Sequence, residues 1–148
     1  LETGIVRDYL IPAVEFDVWC GYVFCHVLGY GINPINPAIK PFFGKKTNDF
    51  ARLFPHRNFV KLIEAIHASG GIAVLAHPAC YWALSLDKFF ARIKELGIDG
   101  VECYYPYDGM RGIIKFHHAG TVTKLAEKYN FLKTGGTDLH GKILDNFH

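Results

Sequence analysis

The stretch GGIAVLAHP, residues 70–78, decides how the chain is expected to fold. Its two glycines end an amphipathic helix, and the apolar residues 72–76 then form the short, bounded run that is typical of a buried parallel strand. The run ends at His77-Pro78, where the chain leaves the core. Because functional side chains collect at the carboxyl ends of strands in parallel α/β folds, His77 is a candidate functional residue.

Helices and strands alternate from residue 58 onward. The helix that precedes the stretch is predicted at about 58–69, and its apolar stripe consists of Phe59, Leu62, Ile63 and Ile66. After residue 78, the sequence predicts a helix that Ser85 caps and Gly97 ends, a strand at 101–105, a helix near 121–129 and a strand at 131–134. This order implies parallel β/α units, in an open sheet or a barrel.

The first part of the chain has a different pattern. Residues 13–19, AVEFDVW, alternate between an apolar face and a face that carries Glu15, which predicts a strand. Residues 22–28, YVFCHVL, form a second predicted strand and carry His26. Two Asn-Pro pairs within residues 29–41 predict a loop.

Length and composition exclude several classes of protein. The chain has 148 residues, of which 50% are hydrophobic, so it is expected to form a single domain with a sizeable core. The net charge of +2 and the absence of a long basic run argue against binding to duplex nucleic acid. No apolar run approaches the ~20 residues that span a bilayer. Four cysteines without a CxxC spacing favour reduced thiols in a cytoplasmic protein.

Five residues form a candidate metal-binding set: Glu15, His26, His77, Asp138 and His140. Asp138 and His140 belong to GGTDLHG, residues 135–141, and in an extended segment they would face the same side. Imidazoles and carboxylates without a thiolate suit Zn²⁺, Mn²⁺ or Fe²⁺. Paired metals of this kind clamp the attacking and leaving oxygens in phosphate ester hydrolysis.

The residues by themselves leave other interpretations open. Asp138 and His140 could form a salt bridge or a catalytic pair, Glu15 could be a solvated side chain, and His26 could be a hydrogen-bonded core histidine. His56, His67, His117 and His118 are expected on helices or loops without a functional role. Tyr104, Tyr105 and Tyr107 could line a pocket or pack as ordinary aromatic residues.

Several motifs, taken in order, resemble the PHP family, which is named for polymerases and histidinol phosphatases. They are IPAVEFDV at 11–18, CHVLGYGIN at 25–33, GGIAVLAHP at 70–78, GIDGVECYYP at 97–106 and LAEKYNFLKTGGTDLHG at 125–141. The resemblance covers roughly residues 10–142. It implies an α/β fold that is the C-terminal portion of a distorted (β/α)7 barrel, incomplete at its N-terminal side, with residues 1–148 forming one domain.

The resemblance also implies roles for the five candidate residues. Glu15 would bridge two divalent metal ions, His26 and His77 would complete the shell of one, Asp138 would ligate the other, and His140 would bind a third. Glu15 and Asp138 would be the catalytic residues. The implied activity is hydrolysis of a small phosphate ester, such as a nucleotide, by metal-activated water.

One departure from the family pattern affects this interpretation. The family begins with a His-x-His motif on its first strand, and the sequence contains no His-x-His. Together with a start at Leu1, this favours an N-terminally truncated PHP phosphoesterase that alone hydrolyses phosphoesters poorly. The alternatives are a degenerate, non-catalytic PHP domain that acts as a metal- or partner-binding scaffold, and a purely structural β/α module. Ala79-Cys80 also stands where some relatives carry a basic residue.

Overall fold

The computed structural model describes residues 11–21, 23–43, 58–105 and 116–136. Within these ranges the chain forms strands β1 (Ala13–Trp19), β2 (Phe24–Tyr30), β3 (Ile72–Leu75), β4 (Gly100–Tyr104) and β5 (Leu132–Gly135), and helices α1 (Phe59–Ala68), α2 (Leu86–Glu95) and α3 (Ala119–Lys128). The fold is therefore mixed α/β, as the sequence predicts. None of the helices in these ranges has the length and apolar character that crossing a membrane requires.

The five strands form one mixed sheet in the order β1-β2-β3-β4-β5. Strands β3, β4 and β5 are parallel, which confirms the β/α units predicted after residue 70. Strand β2 is antiparallel to both β1 and β3, so the strand within GGIAVLAHP has a parallel neighbour on one side only. A tight turn joins β1 to β2, and antiparallel strands need no crossover helix. Closure into a seven-stranded barrel stays a prediction.

The boundaries of the second strand were predicted two residues too early. The strand runs over Phe24–Tyr30 and not over 22–28, so Gly29 and Tyr30 belong to it and not to the predicted loop. The hairpin turn explains the shift, because Cys20 N–H donates to the Val23 carbonyl at 3.2 Å. Gly21 adopts a φ of 111° within this turn, a conformation that favours glycine.

The helices cover the apolar face of the sheet. The alternation predicted for the first strand is confirmed, since Phe16 and Val18 are buried while Glu15 and Asp17 are exposed. The apolar stripe predicted for α1 is fully buried. The cap predicted at Ser85 is also present, because its Oγ accepts the Lys88 N–H at 3.3 Å. Helix α3 begins at Ala119, slightly earlier than predicted.

A row of aromatic rings fixes α2 on the sheet. The Phe90 ring has no exposed surface and lies 6.4 Å from Phe89 and 5.8 Å from Phe131, in edge-to-face arrangements. Such pairs add about 0.5–1.5 kcal/mol each to the stabilisation that comes from burial. Phe131 directly precedes β5, so this row ties the last described strand to the helical layer.

Candidate metal site

The opposite face of the sheet carries the predicted site residues of the first half of the chain. Glu15 and Asp17 alternate with buried residues on β1, and Asp17 lies directly opposite His26 in the register of β1 and β2. Residues that face each other across an antiparallel pair project to the same side, so all three side chains share one face. Ala76 N–H donates to the His26 carbonyl at 3.0 Å, which places His77 beside His26 at the end of β3.

Glu15, His26 and His77 converge on one point. His26 Nδ1 lies 2.6 Å from Glu15 Oε1 and 3.1 Å from His77 Nε2. The third distance, from His77 Nε2 to Glu15 Oε1, is 3.7 Å. One potential ligand atom from each residue lies within 4.8 Å of the other two, and the group could hold a metal ion. Two imidazole nitrogens and a carboxylate oxygen are donors that suit zinc and other divalent first-row metals.

The electrostatics of the group suit a cation. Hydrogen bonds from His26 and then from His77 hold the pKa of the Glu15 carboxyl well below its usual range, although partial burial opposes the shift. Glu15 is therefore ionised throughout the neutral range and can act as a ligand without losing a proton. The Nδ1 atom of His77 is buried and has no hydrogen-bond partner among the described residues. The nitrogen of His77 that faces His26 and Glu15 is Nε2, so Nε2 is the atom placed to bind a cation.

The lowered pKa of Glu15 predicts how metal-free protein responds to acid. Glu15 has a lower pKa in the folded chain than the ordinary value of 4.5, so its ionised form contributes stability above that pH. This contribution is lost as the pH falls below about 4.5 toward the folded pKa. We expect Glu15→Gln to make the melting temperature less sensitive to acid in this window. Thermal melting at a series of pH values measures the effect, and Glu64→Gln on the exposed side of α1 is the control. Equal acid sensitivity in wild type and Glu15→Gln would contradict it.

Two buried side chains hold the backbone of the histidines. His26 N–H donates to the Tyr81 hydroxyl at 2.8 Å, and His77 N–H donates to Glu102 Oε2 at 2.8 Å. Tyr81 and Glu102 are only 6% and 3% exposed. The pKa of the Tyr81 phenol is raised, chiefly by burial. His77 has a φ of 26°, which is unfavourable for a residue with a side chain, so the hydrogen bond that its N–H donates to Glu102 helps to hold a strained backbone.

A cavity of about 160 Å³ adjoins the group. Its lining consists of Glu15, Leu28, Tyr30, Ala76, His77, Glu102, Tyr105 and Gly136. Among the described residues, the lining contains two carboxylates and neither lysine nor arginine, so an anionic ligand in this cavity would require a bound cation. Of the three tyrosines predicted either to line a pocket or to pack as ordinary aromatic residues, Tyr105 lines the cavity, Tyr104 is 63% exposed, and Tyr107 lies outside the described residues.

Comparisons with known proteins identify what the chain is similar to. No family model matches the sequence. A phosphoribosyl 1,2-cyclic phosphate 1,2-diphosphodiesterase from Eggerthella lenta is 36% identical over 87 residues, which are 55% of this chain and 28% of that protein. An amidohydrolase from Chromobacterium violaceum, solved with bound sulfate and without metal, superposes with a TM-score of 0.64 at 14% identity and covers 93% of this chain and 70% of its own. A protein assigned as a metal-dependent phosphoesterase from Bifidobacterium adolescentis superposes with a TM-score of 0.66 at 17% identity, and the match covers 95% of this chain and 72% of that one.

The comparisons confirm the resemblance to the PHP family. The two structural matches show only the fold of this chain and not its function, because their sequence identity is low. The chain spans about 28% of the length of the curated relative that it matches.

The structure describes three of the five residues that the PHP resemblance implies as ligands. It brings Glu15, His26 and His77 together, and their role as ligands stays a prediction. Asp138 and His140 lie outside the described residues, and so does His56. The last described residue is Gly136, whose N–H donates to the Tyr104 carbonyl at 3.0 Å and which lines the cavity.

The remaining described histidines lie elsewhere in the PHP-like fold. His67 Nε2 is 2.8 Å from Asp99 Oδ2, and the same oxygen accepts the Ala73 N–H at 2.6 Å. This arrangement ties the end of α1 to the starts of β3 and β4, which fits the structural role expected for His67. His118 is exposed and directly precedes α3, and His117 is half-buried beside it.

Sequence reasoning missed Glu102 and Tyr81. Glu102 is the one charged residue of β4, in the segment GVECY, and an isolated carboxylate in an apolar strand is the signal that could have identified it. Gly136 lies beside it, and a Cβ at this position would overlap Glu102 Oε1 unless the Glu102 carboxylate shifted. Tyr81 gave no comparable signal, since buried tyrosines are common in cores.

Proposed function

We propose that this chain carries the metal-binding centre of a metal-dependent phosphoesterase of the PHP type. The convergence of Glu15, His26 and His77 beside a cavity is the observation that carries this proposal. The name of the Eggerthella lenta relative, a diphosphodiesterase, and that of the Bifidobacterium adolescentis protein, a metal-dependent phosphoesterase, support the same class of reaction.

Each residue of the group has a distinct part in the proposed reaction. Glu15 supplies a permanent negative charge, and His26 and His77 supply neutral nitrogen donors. Three protein ligands leave a coordination position open for water or substrate. A divalent ion bound there would lower the pKa of its water and polarise a phosphoryl oxygen. Tyr81 and Glu102 hold the two histidines through their backbone amides, which keeps the donors in place during turnover.

We assign further parts of the site by the PHP resemblance. Asp138 would share a second ion with Glu15 and act with it in catalysis, and His140 would bind a third ion. The donor set suits Mn²⁺, Zn²⁺ or Fe²⁺. These assignments extend the described group toward Gly136, two residues before Asp138 in sequence.

The proposed substrate is a small phosphate ester. The cavity of about 160 Å³ has room for part of a sugar phosphate or nucleotide. Tyr30 and Tyr105 give it aromatic walls, and Leu28 adds an apolar one. Because its described lining carries carboxylates, recognition of the phosphate would depend on bound metal more than on basic side chains.

Hydrolysis assays test the proposed reaction. We expect the chain, loaded with Mn²⁺ or Zn²⁺, to hydrolyse p-nitrophenyl phosphate and its diester slowly, because the sequence lacks the His-x-His of the family. The activity should disappear with a chelator. Glu15→Gln should reduce kcat/KM by at least ~100-fold. Loss of a residue that only hydrogen-bonds a metal ligand lowers activity by about 10–100-fold, and loss of a ligand itself should lower it more. His67→Ala, which changes a histidine outside the group, should retain the wild-type rate. Chelator-insensitive hydrolysis, or equal rates for Glu15→Gln and wild type, would contradict the proposal.

A second candidate function is a metal-binding scaffold without catalysis. The observation that favours it is the absence of a His-x-His motif from the sequence. It predicts tight metal binding that depends on His77, with no hydrolysis of phosphomonoesters, phosphodiesters or cyclic phosphates under any metal. The same assays therefore separate the two candidates.

A further inference from the structure

The ring of His26 lies between two carboxylates of the same strand. Its Nδ1 atom is 2.6 Å from Glu15 Oε1, and its Nε2 atom is 3.0 Å from Asp17 Oδ1. Asp17 faces His26 directly across β1 and β2, so the backbone register fixes this arrangement. The PHP resemblance assigns no role to Asp17.

The two carboxylates are not equivalent. Glu15 belongs to the group of converging ligand atoms, whereas Asp17 contacts the nitrogen on the far side of the ring. A neutral imidazole has one nitrogen that donates a hydrogen bond and one that presents a lone pair. An ionised carboxylate only accepts, so the nitrogen beside Asp17 is the one that carries the proton when Nδ1 binds a cation.

We propose that Asp17 is a positioning residue, which fixes the tautomer and the orientation of His26 so that Nδ1 presents its lone pair to the metal ion. This inference rests on the proposed metal site. Metal-binding histidines commonly donate their other ring N–H to a carboxylate, and loss of such a partner weakens metal binding by about 10–100-fold. Asp17 lies on the rim of the site, with 58% of its side chain exposed, so its substitution leaves the core unchanged.

Zinc affinity, measured by competition with a chelating dye, tests the proposal with two variants. Asp17→Ala removes the acceptor and should weaken Zn²⁺ binding by about 10–100-fold. Asp17→Asn removes the charge but keeps an oxygen that accepts from Nε2–H, so its affinity should stay close to that of wild type. Glu95→Ala, at a side chain that is 68% exposed on α2, controls for the loss of one negative charge.

Nitrogen NMR of the zinc-loaded protein provides a readout that a merely structural role would not change. Wild type and Asp17→Asn should show His26 with a protonated Nε2 and a metal-bound Nδ1, whereas Asp17→Ala should show a broadened or mixed signal. Equal affinity of Asp17→Ala and wild type would overturn the proposal, and so would an Asp17→Asn variant that is as weak as Asp17→Ala. If wild type binds Zn²⁺ and His77→Ala does not, either of these two results rejects the role of Asp17 and leaves the proposed metal site intact. If wild type binds no Zn²⁺, the proposed function fails together with it.

Discussion

Replacing His77 with alanine should abolish stoichiometric metal binding. His77 provides one of three converging ligand atoms, and its Nε2 lies 3.1 Å from the ligand nitrogen of His26. Two remaining donors would hold a divalent ion weakly, since protein sites of this type use at least three. We expect about one Mn²⁺ or Zn²⁺ per wild-type chain after dialysis and almost none for His77→Ala. The affinity for the metal ion should fall by more than the ~10–100-fold that follows the loss of a residue hydrogen-bonded to a ligand.

His67→Ala is the matched control for this experiment. His67 is also a histidine within hydrogen-bond distance of a carboxylate, at 2.8 Å from Asp99, but it does not belong to the converging group. Its substitution should leave the metal content at the wild-type level. Equal metal content in wild type and His77→Ala, measured by elemental analysis, would show that the group is not the binding site.

Phe90→Ala should produce the largest loss of stability among single substitutions in the helical layer. The side chain is completely buried, and its ring contacts Phe89 and Phe131. Truncation of a buried phenylalanine leaves a cavity and costs about 3–5 kcal/mol. That is a large part of the ~5–15 kcal/mol by which domains are usually stable. Chemical denaturation, followed by circular dichroism, measures the change in the free energy of unfolding.

Phe24→Ala provides the comparison. Phe24 is 54% exposed and contacts Trp19, so its truncation removes an aromatic pair and leaves no internal cavity. Phe24→Ala should lower the free energy of unfolding by about 0.5–1.5 kcal/mol, which is the contribution of one aromatic pair. If the two substitutions cost the same, the aromatic row that ties α2 to the sheet would not have the importance inferred from its burial.

The local features of the fold could be predicted from the sequence because they depend on neighbouring residues. The alternation of β1, the apolar stripe of α1 and the cap at Ser85 each follow from side chains within a few positions. The start of β2 could not be predicted in the same way. The hydrophobic run begins before Phe24, and the turn from Cys20 to Val23 determines where pairing begins.

The site was only partly predictable for a related reason. The PHP resemblance grouped Glu15, His26 and His77, and the structure places them together. The side chains that hold them are distant in sequence, since Tyr81 is 55 positions from His26 and Glu102 is 25 positions from His77. Only the tertiary fold brings such partners together, Glu102 from β4 and Tyr81 from the segment that follows β3.

A crystal structure with anomalous scattering at the Mn or Zn absorption edge would locate the bound metal ion. We predict an anomalous peak among Glu15, His26 and His77, at ~2.0–2.2 Å from a Glu15 carboxylate oxygen, His26 Nδ1 and His77 Nε2. The absence of a peak among these three residues at saturating metal would contradict the proposed site.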